Sequence, residues 1–265
     1  MTKGAHITLD HVGISFGDVH VASNVNLDIR PGEFICLLGP SGCGKSTLLN
    51  AIAGFLPVHG TITVGGDRVT KPGLDRGVVF QSAEVLFPWL TIRENVEYGL
   101  KLARVPAKER REKAEYFIRL VGLSHAADRF PKQLSGGMRQ RAQIARVLIN
   151  EPSVVLMDEP FGALDAQTRE VLQRELDRIW RETGCTIVFV THDIWEALLL
   201  ADRVVVMSAG PRAGIKTIQP IDLAHPRDPA SPECLELYRA LRDDIGEEVK
   251  RALQQQGLAQ EEPAE

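Results

Sequence analysis

Residues 39–47, Gly39-Pro40-Ser41-Gly42-Cys43-Gly44-Lys45-Ser46-Thr47, constrain this chain more than any other stretch. They fit the spacing G-x-x-x-x-G-K-S/T. Before them runs Phe34-Ile35-Cys36-Leu37-Leu38, apolar throughout, which reads as a buried strand. After them Leu48-Leu49-Asn50-Ala51-Ile52-Ala53 has helical composition. Strand, glycine loop, helix start is the context in which this spacing has a mechanism. Gly39, Gly42 and Gly44 admit positive φ and let the backbone come close to a ligand. Successive N–H groups then point inward and form an anion nest at a helix N-terminus. Lys45 adds a positive charge for outer phosphates, and Ser46 offers a hydroxyl to a magnesium ion, which takes oxygen ligands.

Bulk properties narrow the class. A length of 265 residues suits one large α/β domain or two small ones. A net charge of −4 argues against a general nucleic-acid binder, which carries a basic balance. The cysteines, Cys36, Cys43, Cys185 and Cys234, are scattered and form no C-x-x-C pair, so neither a zinc nor a redox motif is expected. Two of them lie in or beside apolar runs, which fits a reducing compartment. The start, Met1 to His6, has no apolar signal region. No apolar run approaches the ~18 residues needed to span a bilayer. Any work at a membrane is therefore expected to run through a partner.

Residues 6–30 alternate apolar and polar through Ile7, Leu9, Val12, Ile14, Phe16, Val25, Leu27 and Ile29, which predicts an antiparallel β layer with turns at Gly17-Asp18 and Arg30-Pro31-Gly32. Short strands follow over 60–80, then Gln81 and the cluster Val85-Leu86-Phe87-Pro88-Trp89-Leu90. Between about 90 and 150, charged runs beside Ala114, Phe117, Ile118 and Val121 at helical spacing predict a helical insert. It closes with Leu134-Ser135-Gly136-Gly137 and a helix from Met138 to Ile149, with Ser135 as N-cap. Val154 to Met157 predicts a strand ending in Asp158-Glu159, followed by a helix over about 167–182. A second buried strand, Thr186 to Val190, ends at Thr191-His192-Asp193. A helix over Ile194–Ala201 and a strand over Arg203–Met207 come next. Polar residues thus collect at strand C-termini, where open parallel sheets place their ligand crevice. Beyond 221 the chain predicts a helix from about Pro232 to Gln255, with Leu235, Tyr238, Leu241, Ile245, Val249 and Leu253 on one stripe, and a frayed polar end.

Taken singly, several of these features are ambiguous. Asp158-Glu159 suits a magnesium shell and a water polariser, or simply a loop opening. Leu134 to Gly137 suits a helix start, or a second anion site. His192 at a strand end suits a structural histidine equally, Phe16 fits core or an aromatic platform, and Gln81 alone says nothing.

In their order these motifs resemble the ATP-binding subunit of ABC transporters, from about residue 6 to 250. Residues 39–47 match Walker A, Gln81 the Q-loop, and Leu134-Ser135-Gly136-Gly137 the signature motif, with Met138 in place of the usual Gln. Val154 to Glu159 match Walker B with its catalytic glutamate, Ala163-Leu164-Asp165 the D-loop, and His192 the switch histidine. Phe16 lies where the family stacks an aromatic, more often Tyr, on adenine. The resemblance implies an α/β fold: a RecA-like P-loop core with an antiparallel β layer and an inserted α-helical subdomain. The expected segments are 1–89 (first part of the core), 90–150 (helical subdomain), 151–220 (second part of the core) and 221–265 (helical tail).

The resemblance also implies ATP and Mg2+ as ligands and ATP hydrolysis as the reaction. Nucleotide would be held by Phe16, Gly39, Pro40, Ser41, Gly42, Cys43, Gly44, Lys45, Ser46, Thr47 and Gln81. Magnesium would sit on Ser46 and Gln81, with Asp158 acting through water. Glu159, His192 and Lys45 would be catalytic, and Ser135, Gly136, Gly137 and Asp165 would reach a nucleotide on a second copy of the chain. The implied partners are that second copy, an integral-membrane permease and, indirectly, a solute-binding protein, with no nucleic acid; the implied location is peripheral, on the cytoplasmic face of the inner membrane. Gln81 to Leu90, with Phe87 and Trp89, would lie near the permease contact or form ordinary core. The stretches Gly77 to Gln81, Leu86 to Trp89, LSGGMRQR, DEPFGALD and the Ser231-Pro232-Glu233 tail look closest to the nitrate/sulfonate/taurine importer branch. The rival readings are a soluble ABC ATPase of DNA repair or translation and a P-loop small-molecule kinase. The first lacks its long coiled coil or second cassette here, and the second leaves Ser135 to Gly137 and His192 without a task.

Overall fold

The computed structural model describes residues 4–82, 85–162 and 164–255. Ala163 of the expected D-loop and the polar end, residues 256–265, lie outside the described residues.

The alternating segment forms β1 (Ile7–Phe16) and β2 (Val19–Ile29), which bury Ile7, Leu9, Val12 and Ile14, and Val25, Leu27 and Ile29. β3 (Phe34–Leu38) is buried along its whole length, so it reads as a continuous apolar run and not as an alternation. Then come α1 (Lys45–Ala53), β4 (His59–Val64), β5 (Asp67–Arg68) and β6 (Arg76–Val79). Residues 90–150 hold α2 (Ile92–Leu102), α3 (Ala107–Leu120) and α4 (Gly136–Leu148), with 3-10 turns at Ser124–Ala126 and Pro131–Gln133. The remainder is β7 (Val154–Asp158), α5 (Ala166–Thr183), β8 (Thr186–Thr191), α6 (Ile194–Leu200), β9 (Arg203–Met207), β10 (Ile215–Pro220) and α7 (Pro232–Gln255).

The chain divides into two compact units. One comprises residues 73–187 with Gly4. In it β6 and β7 pair in parallel, Arg76 opposite Val154 through Val79 opposite Met157, and helices α2 to α5 accompany them. Helix α2 starts at a capping box. Thr91 accepts from the Glu94 N–H at 3.2 Å and Glu94 accepts from the Thr91 N–H at 2.8 Å, a reciprocal cap. The Thr91 N–H and, at 2.9 Å, the Thr91 hydroxyl donate to the Glu94 carboxyl and hold it below its ordinary range.

The other unit comprises residues 5–72 and 188–255. Its antiparallel sheet has the order β2-β1-β4-β5. Beside β3 lie β9, parallel, with Ile35 opposite Arg203, and β8. Phe34 and Phe189 meet in the core with ring centroids 5.8 Å apart. β10 pairs antiparallel with β9 and is an edge strand. The sequence pattern does not mark it, because Lys216, Thr217, Gln219 and Pro220 interrupt any apolar alternation; an edge position tolerates both features.

One expectation is corrected in part. Of the stripe drawn through Leu235, Tyr238, Leu241, Ile245, Val249 and Leu253, helix α7 buries Leu241 and half-buries Tyr238 and Ile245, while Leu235, Val249 and Leu253 are exposed. Its buried line runs through Cys234, Leu241 and Glu248. A carboxylate can occupy that line because Glu248 accepts from the Ala209 N–H at 2.7 Å and pairs with Lys216 at 3.3 Å and Arg251 at 2.9 Å. All four cysteines are buried and free.

Candidate nucleotide site

Residues 39–47 leave the end of β3 and enter α1 directly. Gly44 is the N-cap, at φ +90, and no side chain caps the first turn, so the N-terminal N–H groups of α1 face the loop as an anion site. A Cβ at Gly44 would lie 2.9 Å from Val21 Cγ1. Glycine is needed there twice over, for its backbone angle and for the close approach of β2. Lys45 is 4% exposed, and its Nζ donates to the Gly39 and Pro40 carbonyls, each at 2.8 Å. The ammonium is therefore drawn back over the concave side of its own loop. Burial pushes the Cys43 thiol up, with Lys45 only partly opposing, so Cys43 packs as a small apolar residue and not as a thiolate. Ser46 is exposed on the first turn.

Phe16 ends β1 and is half exposed, opposite Val19 across the hairpin turn. Of the two sequence readings, core and platform, core is thus set aside. The hairpin that carries Phe16 is the one whose Val21 touches Gly44. His192 is exposed in the link between β8 and α6. Its neighbour Thr191 donates to Glu196 at 2.6 Å, and Asp193 caps α6 by accepting from the Trp195 and Glu196 N–H groups at 2.8 and 3.3 Å. The sequence reading passed over Asp193 and Glu196, although an acid followed three residues later by Glu is a helix-start signal.

In the unit of residues 73–187, Asp158 closes β7 and Glu159 follows at φ +42. A left-handed non-glycine residue costs roughly 1–3 kcal/mol, and such strain gathers at functional positions. The turn is closed by Gly162 N donating to the Glu159 carbonyl at 3.1 Å. Gln81 reaches Glu159 Oε2 through Nε2 at 3.5 Å, the outer limit of a hydrogen bond. The structure thus brings together two residues 78 positions apart. The strand end before Gln81 is held from α4. With its amide turned to match, buried Gln143 accepts from the Phe80 N–H at 2.7 Å and donates to the Phe80 carbonyl at 3.3 Å. Only a polar residue among Ala142, Ile144 and Ala145 hints at this in the sequence.

Ser135 is the N-cap of α4, accepting from the Met138 N–H at 3.3 Å. Asp165 is the N-cap of α5, accepting from the Thr168 N–H at 3.0 Å, which holds its carboxyl below the ordinary range. Gly137 is buried, and a Cβ there would stand 2.6 Å from Thr168 Cγ2. Gly137→Ala is accordingly expected to destabilise the protein by about 1–3 kcal/mol, with Thr168→Ser in the same chain restoring most of the loss by removing the methyl group. Thermal melts of the single and double variants check this, and an unchanged melting point in the single variant would refute it.

A glycine loop between a buried strand and a helix, carboxylates closing another apolar strand and a glycine-opened helix define a nucleotide hydrolase with a RecA-like P-loop core, an antiparallel β layer and inserted helices. The chain belongs to the ABC transporter family, whose family model matches residues 22–162, and is an ATPase of that family. It is 50% identical over 236 residues to an uncharacterised ABC transporter ATP-binding protein of Methanocaldococcus jannaschii, covering 89% of this chain and 88% of the relative. With the nitrate import ATP-binding protein NrtD of Synechocystis it shares 53% identity over 196 residues, 74% of this chain and 73% of that one. Among solved structures, a dimeric ATP-binding cassette in a post-hydrolysis state with ADP and phosphate superposes with TM-score 0.70 at 31% identity, over 82% of this chain and all of that one. The cbiO1 subunit from Clostridium perfringens gives 0.74 at 26% identity, over 91% and 96%.

Proposed function

We propose that this chain energises an importer for a small solute of the nitrate/sulfonate/taurine type, working as a pair of identical copies on the cytoplasmic face of the inner membrane. The importer reading rests on its likeness to NrtD, a nitrate import protein, and to the bicarbonate transport protein CmpD of Synechocystis, 48% identical over 231 residues, 84% of this chain and 82% of that one. The pairing rests on its likeness to cassettes solved as dimers. Among the described residues, no helix is long and apolar enough to cross a membrane.

The roles are those the family resemblance implies, and the chemistry of each group supports them. Phe16 offers an exposed π-face to adenine. The loop from Gly39 to Thr47 wraps the phosphates, and Lys45 releases its two loop carbonyls to bind phosphate oxygens. Ser46, Gln81 and Asp158 are oxygen donors of the kind magnesium takes, with Asp158 acting through water. The ion, when bound, neutralises charge between the outer phosphates. Glu159 polarises the attacking water, and His192 approaches the γ-phosphate. Ser135, Gly136, Gly137 and Asp165 sit at or beside helix N-termini and would close on the nucleotide of the second copy. ATP then holds two copies together and hydrolysis lets them part. In this scheme residues 90–150 act as the helical subdomain, 1–89 and 151–220 as the core, and 221–265 as the tail.

The observation that carries the permease contact is a groove of about 300 Å³ lined by Leu74, Phe80, Val85, Tyr98, Gln143 and Arg146 among others. At its side Phe87 stacks on Trp89 at 5.5 Å and lies under the Arg146 guanidinium at 4.4 Å, while Trp89 is 70% exposed. Trp89→Glu is expected to abolish recovery of an integral-membrane partner from detergent-solubilised membranes, where the wild-type chain retains one. Equal recovery by both would refute the contact; nucleic acid or ribosomes in place of a membrane protein would favour a non-transport cassette.

A further inference from the structure

His192 is set by short bonds on both sides, so its loop is an extension of the first turn of α6. Thr191 and Glu196 bind each other across it, the Asp193 N–H donates to the Thr191 hydroxyl at 3.0 Å, and Asp193 in turn accepts from Trp195 and Glu196. Helix α6 has only seven residues, two turns, too few to hold its own shape or direction without support. That support comes in large part from residues 221–255, which grip α6 at both ends. At the far end, Arg227 Nη1 donates to the carbonyls of Leu198, in the last turn of α6, and of Ala201, its C-cap, at 2.5 and 2.7 Å. Its Nε and Nη2 donate to the Leu223 and Ile221 carbonyls at 3.1 and 3.2 Å, so one guanidinium ties the helix end to the segment beyond β10. At the near end, Trp195 stacks on Tyr238 of α7, ring centroids 4.5 Å apart and planes 18° apart. Helix α7 is itself fixed to the sheet, since buried Glu248 accepts from Ala209 after β9 and pairs with Lys216 of β10.

We propose that Tyr238 and Arg227 are positioning residues for His192: residues 221–255, which carry none of the nucleotide motifs, set where the histidine stands relative to the γ-phosphate. The proposal rests on the role given above to His192. Both rings of the stack are half-buried, so the contact orients α6 from the surface and is not part of the core. Removing it tilts the helix without opening a cavity.

The full chain tests this. Tyr238→Ala is expected to lower kcat for ATP by ~10-fold with KM changed less than ~2-fold, because the reacting groups are misplaced and nucleotide binding is not lost. Tyr238→Phe, which keeps the stacked ring, retains the wild-type rate. In a His192→Ala background, Tyr238→Ala causes no further loss, whereas a general structural defect would multiply with it. Independently of turnover, the imidazole NMR signal of His192, assigned by its absence in His192→Ala, shifts in Tyr238→Ala and not in Tyr238→Phe. A Tyr238→Ala protein with wild-type kcat and an unmoved signal overturns the brace, as does an equal further loss in the His192→Ala background. Should His192→Ala itself hydrolyse ATP at the full rate, the role of the histidine falls and this proposal with it. A normal Tyr238→Ala beside a defective His192→Ala removes the brace alone.

Discussion

Glu159→Gln is expected to stop hydrolysis while leaving ATP bound, so that paired copies accumulate. The amide has nearly the size of the carboxylate, and the backbone turn that presents it, φ +42 with Gly162 bonded back to the Glu159 carbonyl, does not depend on the side chain. The Gln81 amide that now meets Glu159 Oε2 can meet the new amide oxygen. What is lost is the negative charge that draws a proton from attacking water. General-base catalysis contributes roughly 10²–10⁴-fold, and kcat should fall in that range. ATP affinity should hold, because the loop at Gly39 to Thr47 is untouched. Size-exclusion chromatography with ATP then gives a dimer for Glu159→Gln and mainly monomer for wild type after turnover. A variant that hydrolyses ATP normally would remove Glu159 from the polarising role.

Lys45→Ala is expected to fail earlier, at binding and at chemistry together. In the proposed scheme the ammonium supplies the charge for the outer phosphates, and loss of one charged donor to a developing phosphate charge costs on the order of 10²–10³ in rate. A second loss is local. Lys45 Nζ holds the Gly39 and Pro40 carbonyls at 2.8 Å each, and its removal deprives both of that donor. Each unsatisfied carbonyl costs about 1–3 kcal/mol if water does not reach it, so the loop is expected to re-form around them. Lys45→Arg should not rescue, since a planar fork does not fit a site shaped for a compact ammonium. Nucleotide titration and steady-state hydrolysis together check this; solute uptake at full strength by a Lys45→Ala transporter would overturn the whole scheme.

Much of the fold is legible because burial there is a matter of local pattern. Continuous apolar runs became β3, β7, β8 and β9, and apolar–polar alternation, broken by irregularities between Leu9 and Ser15, became β1 and β2. Ser135, Thr91 and Asp165 start helices because a side-chain oxygen three residues from a backbone N–H is a local event. The less legible parts depend on distant groups. β10 exists because β9 offers it a free edge. Glu248 is buried because Lys216 and the Ala209 N–H lie waiting for it, so the buried line of α7 shares Leu241 with the apolar stripe written in its sequence and departs from that stripe on either side. Trp195 and Tyr238, 43 positions apart, show no mutual pattern at all.

The chain's residues alone marked the buried strand, the glycine loop and the helix start that follows it, because the loop, the lysine and the helix start are contiguous and act within one turn. Tertiary structure decided the rest of the machinery. It placed Gln81 against Glu159, locked Phe80 to α4 through Gln143, and brought Arg227 and Tyr238 to the helix behind His192. Those pairings need chain ends from far apart to be brought within a few ångströms, and only the packing of the whole molecule supplies that proximity.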